Sequence, residues 1–378
     1  MSDRFPRKSR KAAIVKRRKL AVLLAGLLIL LALILAAAAL MKSCEKERPY
    51  ATEAEPERTE APEITDARDS GTDPAAGTEG ETSPPDTAPE DTAPPATEPV
   101  TEPAETKPPR GDFAFPEEMA SRHALLIDLE TWEVIAEKDP DAVVYPASIT
   151  KIMTVLLAVE RLPDPDMTTS ISAETILDLI SRNAARAGFE AGEKITVRDL
   201  EAAALLPSGA DAAVALAELI SGSEEAFADL MNARAAEIGM KHTHFVTCTG
   251  LHRDAHVSSC SDLALLVKEA LKNEAFRAVF ELKTYRTSAT PEHPWGLSCE
   301  STMLRGLEAL GYSTDRYVGG KTGYTPEAGL CLASVAKIDG REYLLITLTA
   351  GTGSNQPPLH VIDADLIWSA FEAWLAEG

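Results

Sequence analysis

Apolar positions are spread unevenly along the chain. Leu20 to Met41 (LAVLLAGLLILLALILAAAALM) is one unbroken run without a charge. From there to about Pro109 almost no apolar side chain beyond alanine appears. Regular patterns then begin. His123–Asp128 (HALLID) and Trp132–Glu137 (WEVIAE) read as short strands around the turn Leu129-Glu130-Thr131, a hairpin. Ile149–Leu162 (ITKIMTVLLAVERL) is apolar on most of its circumference and predicts a buried helix. Residues 164–273 are mainly helical, with amphipathic Ala-rich stretches at 174–186, 198–220, 224–238 and 261–272. Gly329–Ile338 and Arg341–Thr349 flank Asp339-Gly340, a two-residue hairpin signal. Val361–Leu375 predicts a closing amphipathic helix. Strands at both ends with helices between predict an α/β (α+β) fold. One antiparallel sheet holds the N- and C-terminal strands, helices flank it, and a helical lobe is inserted. A site belongs in the cleft between sheet and lobe.

The first third divides differently. Residues 1–19 hold nine Lys or Arg and one acid, Asp3, ahead of an apolar run of about the twenty residues that span a bilayer. Basic flanks stay inside, so residues 20–41 read as a single-pass signal-anchor with everything after Lys42 outside. The run exceeds the usual signal-peptide core, although Ala36–Ala39 offers a cleavage site as the alternative. Residues 42–112 are rich in Pro, Thr and Glu, and Ser70–Thr106 has no Lys or Arg. Such a segment buries too little to offset ordering entropy and predicts a disordered tether. Cys44 and the tripeptide Arg110-Gly111-Asp112 read as incidental. The globular domain is then 113–378.

A formal net charge of −22 argues against nucleic acid as a partner. Cys248, Cys260, Cys299 and Cys331 lie on the exported side, where disulfides are allowed, and are read as free thiols. His242, His244, His252 and His256 form a loose cluster whose spacing matches no helix-borne metal motif, so no metal is expected. Trp132, Trp295 and Trp368 are read as packing residues, Trp295 also as a candidate lining of the cleft.

Candidate chemistry starts at Tyr145-Pro146-Ala147-Ser148-Ile149-Thr150-Lys151. Ser148 and Lys151, three apart, share one face of a helical first turn. A buried ammonium is costly, so the lysine tends to neutrality and can take the serine's proton. Alone, an S-x-x-K match is weak. Three further stretches strengthen it: Leu206-Pro207-Ser208-Gly209-Ala210-Asp211-Ala212-Ala213, the segment from Gly239-Met240-Lys241 to Gly250-Leu251, and Gly320-Lys321-Thr322-Gly323-Tyr324-Thr325.

With S-x-x-K, an S-G-x-D-A-A box and K-T-G in that order, residues 115–375 resemble the serine D-alanyl-D-alanine carboxypeptidases, the low-molecular-weight penicillin-binding proteins. The resemblance implies a β-lactamase/transpeptidase-like fold and a hydrolase that needs no cofactor. Its substrate would be the D-Ala-D-Ala end of a peptidoglycan stem peptide, and β-lactam antibiotics would bind the same site. It makes Ser148 the nucleophile, Lys151 its base and Ser208 a proton relay. Lys321 and Thr322 would hold the substrate carboxylate, with Lys321 also lowering the pKa of Lys151. Gly323 would let the substrate approach as an added strand, and the N–H groups of Ser148 and Tyr324 would form the oxyanion hole.

The sequence departs from the family at Ala210, where the second motif ends in asparagine; that amide touches both the lysine and the substrate backbone. Gly351-Thr352-Gly353-Ser354-Asn355 also lacks the basic residue that some members carry after the last strand. Two alternatives remain: a weak or inactive cell-wall binding homologue, motivated by Ala210, and a β-lactamase, for which the sequence has no good E-x-x-L-N match.

Overall fold

A computed structural model describes residues 112–351 and 357–377. The expected basic tail, the anchor and all of the linker before Asp112 lie outside the described residues. Among those described, no helix is long and apolar enough to cross a membrane.

The chain opens with β1 (Ser121–Asp128) and β2 (Val134–Lys138), paired antiparallel as the hairpin pattern predicts. A 3-10 turn at Ala147–Thr150 leads into α1 (Lys151–Arg161). Then come β3 (Thr168–Thr169), α2 (Ala173–Ser181), β4 (Ile195–Thr196), α3 (Val197–Leu205), α4 (Ala210–Ser221), α5 (Glu224–Ile238), α6 (Cys260–Leu271) and α7 (Glu274–Phe280). The short strands β5 (Thr284–Arg286) and β6 (Ser298–Glu300) precede α8 (Thr302–Ala309). The chain closes with β7 (Tyr317–Thr325), β8 (Gly329–Ile338), β9 (Arg341–Ala350) and α9 (Leu359–Ala376).

The main sheet runs β2-β1-β9-β8-β7, antiparallel throughout. Its inner strands are apolar on both faces. Leu125, Ile127, Val335, Leu344 and Ile346 join the core under the helical lobe. Leu126, Leu332, Tyr343 and Leu345 face α8 and α9. Strands covered on both sides read as continuous apolar runs, which is why β8 and β9 are plain in the sequence. Their turn residues Asp339 and Gly340 sit at φ 50° and 83°, the geometry that matches strand twist in a two-residue hairpin.

The inserted lobe is not a separate body, because one continuous core includes both a sheet face and the helices. The centre of that core is α1, whose residues from Lys151 to Ala158 are all buried, and which packs on α3, α4, α5, α6 and α7.

Four expectations change. The helix expected to begin at Ile149 starts with a 3-10 turn. The stretch 198–220 is two helices broken at Leu206–Gly209, and 174–186 ends as a helix at Ser181. Periodicity continues across the break at 206–209, but Ser208 takes φ 65° and ends α3. Trp368 is buried, as expected, and donates from Nε1 to Ser334 Oγ at 3.2 Å, whereas Trp295, expected to pack, is 86% exposed. The four described cysteines are free and buried.

Candidate active site

The site begins in the 3-10 turn. In a 3-10 helix residues i and i+3 eclipse one another, so Ser148 and Lys151 lie in line rather than merely on one face. Lys151 Nζ donates to Ser148 Oγ at 2.9 Å and to the Thr249 carbonyl at 2.7 Å. The residue before the serine, Ala147, is held at φ 48°. Such left-handed strain in a non-glycine residue persists only where its surroundings hold it, and it clusters at functional sites. Lys151 is 1% exposed; burial pulls its pKa down to about 8, opposed by the nearby Cys248 sulfur and by the carboxylates of Asp211 and Glu224.

A second serine–lysine pair faces it. Lys321 is fully buried and donates from Nζ to Ser208 Oγ at 2.8 Å and to the Thr322 carbonyl at 2.7 Å. Burial first, and then the Lys151 ammonium, push Lys321 well below an ordinary lysine. The sequence expectation has burial and a second cation lower Lys151; in the structure burial is the leading cause at both lysines, and each ammonium disfavours the other.

Support comes from the segment before α6. Thr249 accepts from Lys151 at 2.7 Å, with Ser148 Oγ at 3.5 Å. Gly250 (φ 76°) lies so near the nucleophile turn that a Cβ there would sit 1.9 Å from the Ala147 carbonyl. His256 Nδ1 accepts from the N–H groups of Val246 and Thr247 at 3.0 and 3.2 Å. Its proton is therefore on Nε2, which donates to Thr150 Oγ1 at 2.8 Å, and Thr150 donates to the Ala147 carbonyl at 2.8 Å. Burial pushes the His256 pKa down to about 3, which keeps this neutral tautomer in place. His256 is thus a strut between two loops. Neither it nor the Thr249 carbonyl is singled out by sequence reasoning, because a carbonyl and a long-range hydrogen bond leave no local signature.

Around the second motif, Ala210 is buried as the first residue of α4, and its methyl group can neither donate nor accept. The buried Asp211 carboxylate accepts from the N–H groups of Ala187, Gly188, Phe189 and Ala212 at 2.8, 2.9, 3.3 and 3.0 Å. It ties the 185–189 loop to the helix that follows Ser208. Asp211→Ala orphans these amides together, and an unsatisfied buried donor costs about 1–3 kcal/mol. A stability loss of about 3 kcal/mol or more is expected in chemical denaturation, and a loss under 1 kcal/mol contradicts this role.

The far wall is β7, the edge strand of the sheet. Lys321 and Gly323 point towards the lobe, while Thr322 points to the other face, where its hydroxyl meets Thr302 Oγ1 at 2.6 Å. Gly323 was expected to make room for substrate. The structure adds a nearer reason, because a Cβ there would lie 2.9 Å from Ser148 N, 3.1 Å from Ala147 Cβ and 3.1 Å from the Pro146 carbonyl. Tyr324 follows with its side chain 41% exposed. The fold therefore brings Ser148, Lys151, Ser208, Lys321 and Gly323 together, and sets β7, the edge strand of the sheet among the described residues, beside the nucleophile.

A family model described as D-alanyl-D-alanine carboxypeptidase matches residues 109–352. The chain is 33% identical over 255 residues to the D-alanyl-D-alanine carboxypeptidase DacF of Bacillus subtilis, covering 67% of this chain and 63% of that protein. It is 31% identical over 254 residues to a D-alanyl-D-alanine endopeptidase of Pseudomonas aeruginosa, covering 66% of this chain and 78% of that one. The chain thus spans less than two thirds of the Bacillus relative. Among solved structures, the Streptomyces K15 DD-transpeptidase superposes with a TM-score of 0.61 at 28% identity, covering 68% of this chain and 99% of its own. Penicillin-binding protein D2 of Listeria monocytogenes, in an ampicillin-bound form, gives a TM-score of 0.54 at 26% identity, covering 68% and 98%.

Proposed function

Since the chain belongs to the D-alanyl-D-alanine carboxypeptidase family, we propose that it removes the terminal D-Ala from peptidoglycan stem peptides ending in D-Ala-D-Ala. The reaction passes through an acyl-enzyme on Ser148, and β-lactams acylate the same serine. One observation carries the reading: Ser148 with Lys151, and Ser208 with Lys321, form two hydrogen-bonded pairs against one edge strand. The charge-free run at 20–41 and the polar segment after it support a single-pass membrane location, with the catalytic domain outside the cell.

The steps follow from the contacts. The substrate lies along the open edge of β7 as an added strand. Its terminal carboxylate meets Lys321, whose charged form it favours, and the Thr322 hydroxyl, which keeps donor capacity if Thr302 donates to it. Neutral Lys151 takes the Ser148 proton as Oγ attacks the penultimate carbonyl. The oxyanion is held by the N–H groups of Ser148 and Tyr324, each worth about 3 kcal/mol. Ser208 passes a proton to the leaving D-Ala nitrogen, the C–N bond breaks, and water later cleaves the ester.

The direct test is D-alanine release from an N-acylated tripeptide ending in D-Ala-D-Ala, run beside fluorescent-penicillin labelling of the full chain. Release and labelling are both expected, and both should vanish in Ser148→Ala. Labelling without release leaves a penicillin-binding protein that is not a carboxypeptidase, and absence of both overturns the assignment.

The pH dependence has a definite sign. Lys151 acts as base only when neutral, and burial has lowered its pKa to about 8. Below that value the amine is mostly charged, so the acylation rate should climb with pH from 6 and level off above about 8. A rate flat from pH 6 to 9 contradicts a lysine base.

Ala210 bears on rate. Lys151 here has Ser148 and Thr249 as partners and gains nothing from position 210. Ala210→Asn restores an amide there and is expected to speed penicillin acylation several-fold. Unchanged or slower labelling says that the site is complete without it.

A further inference from the structure

The catalytic lysine is held from behind by a carboxylate that no motif includes. Glu224 stands in the first turn of α5, and its Oε1 accepts from the Cys248 N–H at 3.0 Å and from Cys248 Sγ at 3.2 Å. The Cys248 carbonyl in turn accepts from Thr154 Oγ1 at 2.6 Å, one turn beyond Lys151 on α1. The next carbonyl, Thr249, accepts from Lys151 itself at 2.7 Å. Two successive carbonyls of one short segment therefore hold α1, and the same segment is fixed on its other side by Glu224.

We propose that Glu224 is a positioning residue for the Ser148–Lys151 pair, clamping the Cys248–Thr249 segment and supplying a negative charge behind the lysine amine. This rests on the function proposed above and adds to it a residue outside the three motifs.

The clamp is suited to its place. Burial, with the Glu224 carboxylate, pushes the Cys248 thiol well above its ordinary value, so it keeps its proton and can donate. Glu224 also borders a cavity of about 420 Å³ lined by Glu218 of α4, Glu225 of α5, and Glu174, Asp178 and Arg182 of the α2 region. Around Lys151 the charged or titratable groups are Glu224, Asp211, Cys248, His256 and Lys321. Asp211, whose charge weighs more on Lys151 than that of Glu224, is held by four backbone amides of other segments. Glu224 is the carboxylate that touches the lysine's own holding segment.

The two contributions separate in two variants. Glu224→Gln keeps an oxygen for the Cys248 N–H and loses the charge. Glu224→Ala loses both. Acylation of the full chain by fluorescent penicillin is followed from pH 6 to 9.5 for wild type and both variants, with thermal unfolding run on each. For Glu224→Gln we expect a plateau rate within about threefold of wild type and a midpoint several tenths of a pH unit lower, because the charge that favours the ammonium is gone. For Glu224→Ala we expect the same downward displacement and a plateau reduced about tenfold or more, since a poorly placed base loses most of its contribution. A merely structural residue would change thermal stability and leave the midpoint alone. The proposal is overturned if Glu224→Gln keeps the wild-type midpoint, or if a folded Glu224→Ala keeps the wild-type plateau. If Glu224→Ala does not fold, the Glu224→Gln midpoint decides. A wild type that takes no label overturns the proposed function, and this role with it, which is a different result from labelled variants with an unmoved midpoint.

Discussion

Lys151→Ala is expected to slow acylation by labelled penicillin about a thousandfold or more, with the fold retained. A positioned general base contributes about 10²–10⁴-fold. Among the described residues, Ser148 Oγ bonds Lys151 Nζ at 2.9 Å and the Thr249 carbonyl at 3.5 Å, and that carbonyl cannot carry a proton away. Stability should suffer less than activity. Truncation leaves a space and takes the shorter of two donors from the Thr249 carbonyl, but it also removes a buried amine whose charging burial opposes. Lys151→Arg should not rescue, since a guanidinium stays charged at every working pH and cannot accept the proton. Single-turnover labelling with thermal unfolding as control checks this. A well-folded Lys151→Ala protein that acylates within tenfold of wild type would show that the proton leaves Ser148 by another route.

The pairing of sheet strands was legible because tertiary structure and local pattern agree there. HALLID, GLCLASVAKI and REYLLITLT are apolar on both faces because both faces are covered, and Asp339-Gly340 supplies the positive φ that the turn needs. The site was legible as motifs but not as geometry. Ala147 and Ser208, at φ 48° and 65°, are where local preference is overridden, and a helix was read straight through the second of them. The histidines were tested only for metal spacing, whereas His256 works through bonds to Val246, Thr247 and Thr150, the last of them 106 positions away. The partner that orients the Thr322 hydroxyl is hidden, because nothing in K-T-G signals Thr302, on a helix that the sequence reading does not place. The same limit hid Glu224 and gave Asp211 only a place in a pattern. A carboxylate's partners here are main-chain amides from distant loops, and only the folded chain says which ones.

Gly323→Ala tests the one dimension on which the site depends, the gap between strand and nucleophile turn. The added methyl would sit 2.9 Å from Ser148 N and 3.1 Å from the Pro146 carbonyl, so main chain must move to admit it. The glycine is not at positive φ, so the backbone itself tolerates alanine, and a methyl shortens the freedom of the unfolded chain. The cost therefore falls on the approach rather than on the strand, and a change in stability of about 1 kcal/mol is expected. The moved groups are those proposed to hold the oxyanion. Losing one such donor costs about 2.7–4 kcal/mol, or roughly a hundred- to thousandfold in rate. A shift of a few tenths of an ångström should cost a large part of that, so Gly323→Ala is expected to acylate about 10–100-fold more slowly. Gly323→Val, with more volume and no flexible neighbour to yield, should be slower still. Both should keep the pH midpoint of wild type, because the methyl meets the main chain of the turn at Ser148 N and the Pro146 carbonyl, whereas Lys151 Nζ is held by the Ser148 hydroxyl and the Thr249 carbonyl. That separates a widened oxyanion hole from a disturbed base. Acylation of Gly323→Ala at the wild-type rate would mean that β7 does not present the oxyanion donor, and that the carbonyl is polarised by another wall of the cleft.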